Sequence, residues 1–214
     1  MNDAATPRRS LTKLLFLALC VIAVINLAIY LMMDGSRNDD LGDKSATTSS
    51  ALPSDVARGA VAAFIAHKAP RDMPEITFQD ATGKQFTLAD WRGRNVLLNI
   101  WATWCAPCRE EMPALEKLQK AFGGKDFEVV TVSVDQKGIP VAKAFLEEIG
   151  VNLPLYADPT TRTLTTLKGV GLPTTVLINA EGKETGRLLG PAVWDSPDAF
   201  FLIEKALGRA PKPS

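Results

Sequence analysis

Trp101-Ala102-Thr103-Trp104-Cys105-Ala106-Pro107-Cys108 is the stretch on which the fold turns. Two thiols three positions apart can close and open a small disulfide without moving the backbone, so the spacing reads as a redox centre. Its setting strengthens the reading. Asn95-Val-Leu-Leu-Asn-Ile100 in front is an apolar run of strand length, and Pro107-Cys-Arg-Glu-Glu-Met112 behind opens a helix. The pair therefore sits on a strand-to-helix turn, where the first cysteine caps the helix and its sulfur faces unsatisfied backbone N–H groups. Those dipoles favour thiolate over thiol.

Away from this turn the chain is ordinary in composition. Of 214 residues 46% are hydrophobic and 22% charged, with 24 basic against 24 acidic side chains. That is enough for a full core, and it lacks the basic excess of a nucleic-acid binder. With only three cysteines, and Cys20 far from the other two, a disulfide-stapled fold is excluded. One domain with an appendage is expected.

The appendage is the N-terminus. Residues 14–33 run without a charge, with Asn26 the one strongly polar member. At about 1.5 Å per residue such a helix crosses the roughly 30 Å hydrocarbon layer of a bilayer. Arg8, Arg9 and Lys13 precede it, and Asp34, Asp39, Asp40 and Asp43 follow, against Arg37 and Lys44. The positive-inside rule then leaves residues 1–13 in the cytoplasm and sends the domain across on a single span. A cleaved signal peptide competes with this, but its apolar region is shorter and ends in a small-x-small site, and none stands near Met33. Leu17-Ala18-Leu19-Cys20 has Leu19 where a lipoprotein box needs a small residue, so Cys20 reads as apolar filler. Arg8-Arg9-Ser10-Leu11-Thr12-Lys13 is similar to a twin-arginine export signal, against a plain charged flank.

Residues 34–53 turn polar and read as a flexible linker of about 23 Å mean span. Residues 54–69 hold a short helix from Ser54 through Ala66, with Val56, Ala60 and Phe64 on one stripe and Gly59 against it. From 70 to 208 the pattern is α/β, with a tail over 209–214. Glu75–Phe78 and Gln85–Thr87 flank a turn at Ala81-Thr-Gly-Lys84. The helix after the cysteines runs to Phe122 and carries Pro113, where a kink is expected. A strand over Phe127–Val134 completes a right-handed βαβ unit. Helices follow over Ile139–Ile149 and Thr160–Leu167, then a hairpin of Thr174–Asn179 with Glu184–Leu189, then a closing helix over Ser196–Leu207 capped by Ser196.

The order of strand, Trp-Cys-Ala-Pro-Cys, proline-bearing helix, βαβ, and Gly171-Leu-Pro-Thr-Thr175 before a final hairpin resembles the thioredoxin fold, a central mixed sheet flanked by helices. The fuller strings Leu97-Leu-Asn-Ile-Trp-Ala-Thr-Trp-Cys-Ala-Pro-Cys-Arg-Glu-Glu-Met-Pro113 and Gly190-Pro-Ala-Val-Trp194 resemble the membrane-anchored TlpA-type thiol:disulfide interchange proteins. The resemblance covers roughly residues 70 to 208, and its active-site motif is the specific part of it.

Within that frame Cys105, at the helix tip, is the attacking thiolate, and Cys108, one turn inward, resolves the mixed disulfide. An inert buried pair or half of a zinc site is the bland alternative, but zinc needs about four ligands. There is no second cysteine pair, and the single histidine, His67, precedes the domain and reads as a surface residue. Neither a metal nor a cofactor is expected. Glu111 lies three residues after Cys108, among the inward positions Cys108, Met112 and Leu115. A carboxyl there is partly desolvated, with a raised pKa, and can exchange a proton with Cys108. The competing expectation is a solvated surface carboxylate, a fate that suits neighbouring Glu110 better. The resemblance implies an acid at the Glu111 position. Thioredoxin itself has an aspartate on the central strand where this chain has Asn99, which shifts the relay role to Glu111.

The resemblance also implies that Pro173 is a cis-proline facing the cysteines. The Leu172 backbone then pairs with an extended substrate segment, and Trp104 offers an apolar wall. Trp91 and Trp101 read as core. For direction, strong oxidants of this fold tend to place His between the cysteines, whereas here Ala106-Pro107 stands. The implied activity is a reductase, recharged by a DsbD or CcdA type membrane electron donor, that acts on protein disulfides in assembly of the copper centre of cytochrome oxidase. The cytochrome c maturation branch is the alternative. It usually follows its cis-proline with Glu, and Thr174 stands there. A peroxiredoxin-like peroxidase shares the lead-in Leu88-Ala-Asp-Trp-Arg-Gly93 but needs Pro and Thr where this chain has Leu98 and Ala102. A non-enzymatic copper carrier lacks its usual extra histidine in the domain.

Overall fold

The computed structural model describes residues 51–210 and the single helical residue Asn26. The chain divides into two units, Met1–Thr47 and Thr48–Ser214, and every described strand belongs to the second. The expected anchor over 14–33 lies, Asn26 apart, outside the described residues, as does most of the linker. Among the described residues no helix is long and apolar enough to cross a membrane.

An eight-stranded mixed sheet carries the domain, in the order β1-β8-β7-β4-β5-β6-β2-β3. Its middle is β4 (Asn95–Trp101), the apolar run before the cysteines, buried from Val96 onward. A strand apolar at successive positions needs cover on both faces, and β4 has it. It pairs parallel with β5 (Phe127–Ser133) and antiparallel with β7 (Thr174–Ile178). The parallel pairing requires a crossover, supplied by α1 (Ala106–Phe122), which buries Cys108, Glu111, Met112, Leu115 and Leu118. Pro113 lies inside α1, which continues past it as one helix. The remaining elements are α2 (Ile139–Glu148), β6 (Leu155–Ala157), α3 (Arg162–Thr166), β8 (Lys183–Leu189) and α4 (Pro197–Ala206, capped by the Ser196 hydroxyl). This is a thioredoxin-like α/β fold, with β2 (Thr77–Asp80) and β3 (Gln85–Thr87) joined to it through β6. Phe78, Phe86, Trp91 and Tyr156 weld that junction, with ring centroids 5.2 to 5.8 Å apart.

Two expectations are corrected. The segment from Ser54 is not a helix through Ala66 but two 3-10 turns, Ser54–Val56 and Gly59–Val61, followed by strand β1 (Ile65–Asp72). Gly59 supplies the reason. Its φ is +47°, and a Cβ there would collide with the Asp198 carboxylate. The chain presses against the start of α4, where Asp198 accepts from Arg58 Nε at 3.2 Å and from the Ala60 N–H at 3.1 Å. His67 is likewise no surface residue. It lies on β1 with 5% of its surface exposed, and its Nε2 meets Glu184 Oε1 at 2.6 Å. Glu184 in turn accepts from Arg187 Nε and Nη2, both at 2.6 Å. Strand β6 was not foreseen at all.

Candidate redox active site

The site forms where β4 ends. Ala102-Thr103-Trp104 leave the sheet, and Cys105 caps α1 with its backbone extended at φ −90° and ψ 102°. Its sulfur accepts from the Cys108 N–H at 3.3 Å, which answers one of the donors orphaned at a helix start. Cys105 and Cys108 are joined as a disulfide, with Cα atoms 5.3 Å apart. Cys105 keeps 7% of its surface exposed and Cys108 none, so an external sulfur reaches the pair through Cys105. Trp104 stands 70% exposed beside it. Trp91 and Trp101 are core, as expected.

The loop is pinned from β5. Asp135 accepts from the Thr103 N–H at 2.9 Å and from the Thr103 hydroxyl at 2.7 Å, and it also accepts from Ser133 Oγ at 2.8 Å. Sequence reasoning missed this buried carboxylate. The signal available was an acid just past the end of a strand parallel to β4, at the same end of the sheet as the cysteines.

The Leu172–Pro173 peptide is cis. Register places it at the active-site end, because Thr174 pairs with Ile100, one residue before Trp101. The Pro173 carbonyl accepts from the Gly190 N–H at 2.9 Å, which ties the proline loop to the turn after β8. Pro173 is buried, Leu172 half-buried, and the exposed apolar side chains Val170 and Val193 lie on these two loops.

Glu111 takes the buried of its two expected fates. It is 4% exposed, whereas Glu110 is on the surface. Burial pushes its carboxyl up to about 7, against the pull of three hydrogen bonds. These come from Asn99 Nδ2 on β4 at 2.8 Å, the Ala192 N–H at 3.2 Å and Trp194 Nε1 at 3.0 Å. Trp194 is fully buried. Its partnership with Glu111 was not foreseen, although the Gly190–Trp194 string was singled out. An acid of this proton affinity, one helical turn past Cys108, is suited to take up and return a proton near neutral pH. Among the described residues no cluster of three or more His, Cys, Asp and Glu is placed to hold a metal.

Residues 69–183 match the AhpC/TSA family. The chain belongs to that family. It is similar to the thiol-disulfide oxidoreductase ResA of Bacillus subtilis, with 39% identity over 52% of this chain and 62% of the relative. It is 35% identical to ResA of Bacillus thuringiensis over 61% of this chain and 75% of that one. Among solved structures, the thiol:disulfide interchange protein DsbE of Chlorobium tepidum aligns with a TM-score of 0.59 and 31% identity, covering 65% of this chain and 97% of the other. The expected TlpA-type resemblance therefore stands, and this AhpC/TSA member is a thiol-disulfide oxidoreductase of the ResA and DsbE type.

Proposed function

We propose that the protein is a membrane-anchored, periplasmic thiol:disulfide reductase. The observation that carries the reductase chemistry is the asymmetry of the pair, with Cys105 reaching the surface at the sheet end that holds the cis-proline and Cys108 wholly buried one turn before an acid that titrates near neutrality. In the reaction the Cys105 thiolate attacks a substrate disulfide, forms a mixed disulfide and expels one substrate thiolate. Cys108 then yields its proton to the Glu111 carboxylate and attacks Cys105 Sγ. The second substrate thiolate leaves, and the two electrons lost by the pair reside on the substrate sulfurs. The Cys105–Cys108 disulfide seen here is the end of that cycle.

The Leu172 peptide is the candidate strand-pairing site for an extended substrate, with Trp104, Val170 and Val193 as its apolar surround. Recharging is assigned to a DsbD or CcdA type membrane electron donor, because the periplasm is kept oxidising. Substrates are assigned to cysteine pairs in copper-centre assembly proteins of cytochrome oxidase, on the weight of Thr174 after the cis-proline; cytochrome c maturation is the alternative. The charge asymmetry about residues 14–33 supports the anchor and the periplasmic side. Against a peroxidase, Leu98 and Ala102 stand where that chemistry needs Pro and Thr.

Two measurements test the reading together. Cys105→Ser abolishes reduction of a protein disulfide, and Cys108→Ser accumulates mixed disulfides with the substrate. The potential of the pair, equilibrated against glutathione, falls near or below about −220 mV for a reductase. A value near about −120 mV, the range of a strong oxidant, overturns the direction.

A further inference from the structure

Glu111 sits in a cage made only of donors. Oε1 accepts from Asn99 Nδ2 at 2.8 Å, while Oε2 accepts from both the Ala192 N–H at 3.2 Å and the Trp194 indole at 3.0 Å. A carboxylate only accepts, so the arrangement is complete for the ionised form. The neutral acid carries an O–H that needs an acceptor, and both lone-pair directions of Oε2 are filled. The proton therefore belongs on Oε1, the oxygen that faces Asn99.

Asn99 is itself unbalanced. Its Nδ2 serves Glu111 and also Thr175 Oγ1, at 3.0 Å, while its Oδ1 is fully buried without a partner. Turning the amide over exchanges these roles. Oδ1 then accepts from Glu111 Oε1–H and from the Thr175 hydroxyl, which donates as readily as it accepts. The orientation seen here leaves one end of the amide without a partner, and turning it over gives Oδ1 two donors.

We propose that Asn99 is the positioning residue of Glu111, its amide turning over as the acid gains or loses its proton, so that both charge states are hydrogen-bonded. The functional weight of this device rests on the proton-relay role proposed for Glu111; the turning itself is testable apart from it. Among the described residues no charged side chain bonds to this cage. β4 presents Asn99, β7 presents Thr175, and the loop after β8 presents Ala192 and Trp194. Asp195 in that loop is tied to Lys117 Nζ at 2.8 Å. On α1 itself Glu110 faces solvent, and the titratable neighbour one turn away is Cys108, held here in the disulfide.

The test uses the oxidised full-length protein, labelled with carbon-13 at glutamate carboxyls and nitrogen-15 at asparagine side chains. It is followed by NMR from well below to well above the Glu111 midpoint of about 7. The Asn99 amide resonances are expected to move with the same midpoint as the Glu111 carboxyl. Glu111→Gln mimics the neutral acid by turning its own N–H toward Asn99. In that variant the Asn99 resonances are expected at the acid end of the wild-type titration at every pH. Asn99→Asp, where it folds, places a second acid against the first and raises the Glu111 midpoint by about one pH unit or more. Asn99 resonances that stay still while wild-type Glu111 titrates overturn the proposal, as does a Glu111→Gln spectrum at the alkaline end. The relay reading is judged separately: Glu111→Gln should flatten the pH profile of thiol–disulfide exchange, and an unchanged profile breaks that reading alone.

Discussion

Two glutamates of this domain are equally buried, at 4% exposure each, and hold their protons in opposite ways. Burial pushes Glu111 up to about 7, and the three N–H groups that reach it are neutral. Burial also pushes Glu184 upward, but hydrogen bonds from Arg187 and His67, together with their charge, outweigh it and hold that carboxyl below the usual range. Desolvation acts on both, and at Glu184 the hydrogen bonds and charge of Arg187 and His67 reverse its sign. The first acid is left able to exchange a proton under working conditions. The second is fixed as an anion, and it fastens β1 to β8 instead.

Breaking the Glu184 cluster should have the largest effect. Arg187→Met leaves a buried carboxylate with His67 alone and takes away the donor to the Leu167 carbonyl, at 2.8 Å. A loss of about 3–5 kcal/mol in urea unfolding is expected, and a loss under about 1 kcal/mol would mean that the pair is no tether.

The Glu111 effect is smaller and depends on pH. Its folded pKa lies near 7 against 4.5 for the ordinary carboxyl, so between those values the native state keeps a proton that the unfolded state has shed. Stability contributed by this group is therefore lost as pH rises through that window, by about 3 kcal/mol. Glu111→Gln removes the dependence, so the variant should gain on the wild type from acid to alkaline pH. Parallel stability curves for the two proteins would sink the assignment. The smallest change sharpens the contrast. Trp194→Phe deletes one donor to the carboxylate, disfavours the charged form and raises the Glu111 midpoint by about one pH unit. Carboxyl NMR reads this directly, and an unmoved midpoint would show that the indole is only packing.

What could be read in the sequence was what short-range geometry sets. The cysteine pair, the apolar run of β4 and the inward placing of Glu111 follow from periods of two and 3.6 residues along one chain segment. Both hairpins announced themselves through their turn residues. The partners of buried polar groups were out of reach, because sequence separation hides them. Asp135 finds Thr103 across 32 positions, Trp194 finds Glu111 across 83, and Glu184 finds His67 across 117. Strand β1 was missed because an edge strand need not alternate, and Lys68-Ala69-Pro70-Arg71 shows no period. Strand β6 has three residues, too few for any pattern to register. The cis-proline was legible only through family likeness.

Strand β1 has a further consequence for how the domain meets other polypeptides. As one border of the sheet it carries Pro70, which lacks a donor, the charges of Lys68 and Arg71, and a register shift between Ala66 and Arg71 against β8. The opposite border, β3, is only three residues long. Neither margin offers a straight ladder onto which a loose chain could stack. Each border is thereby a poor template for edge-to-edge association. The proline loop, by contrast, lies at the end of the sheet that carries Cys105, away from both borders.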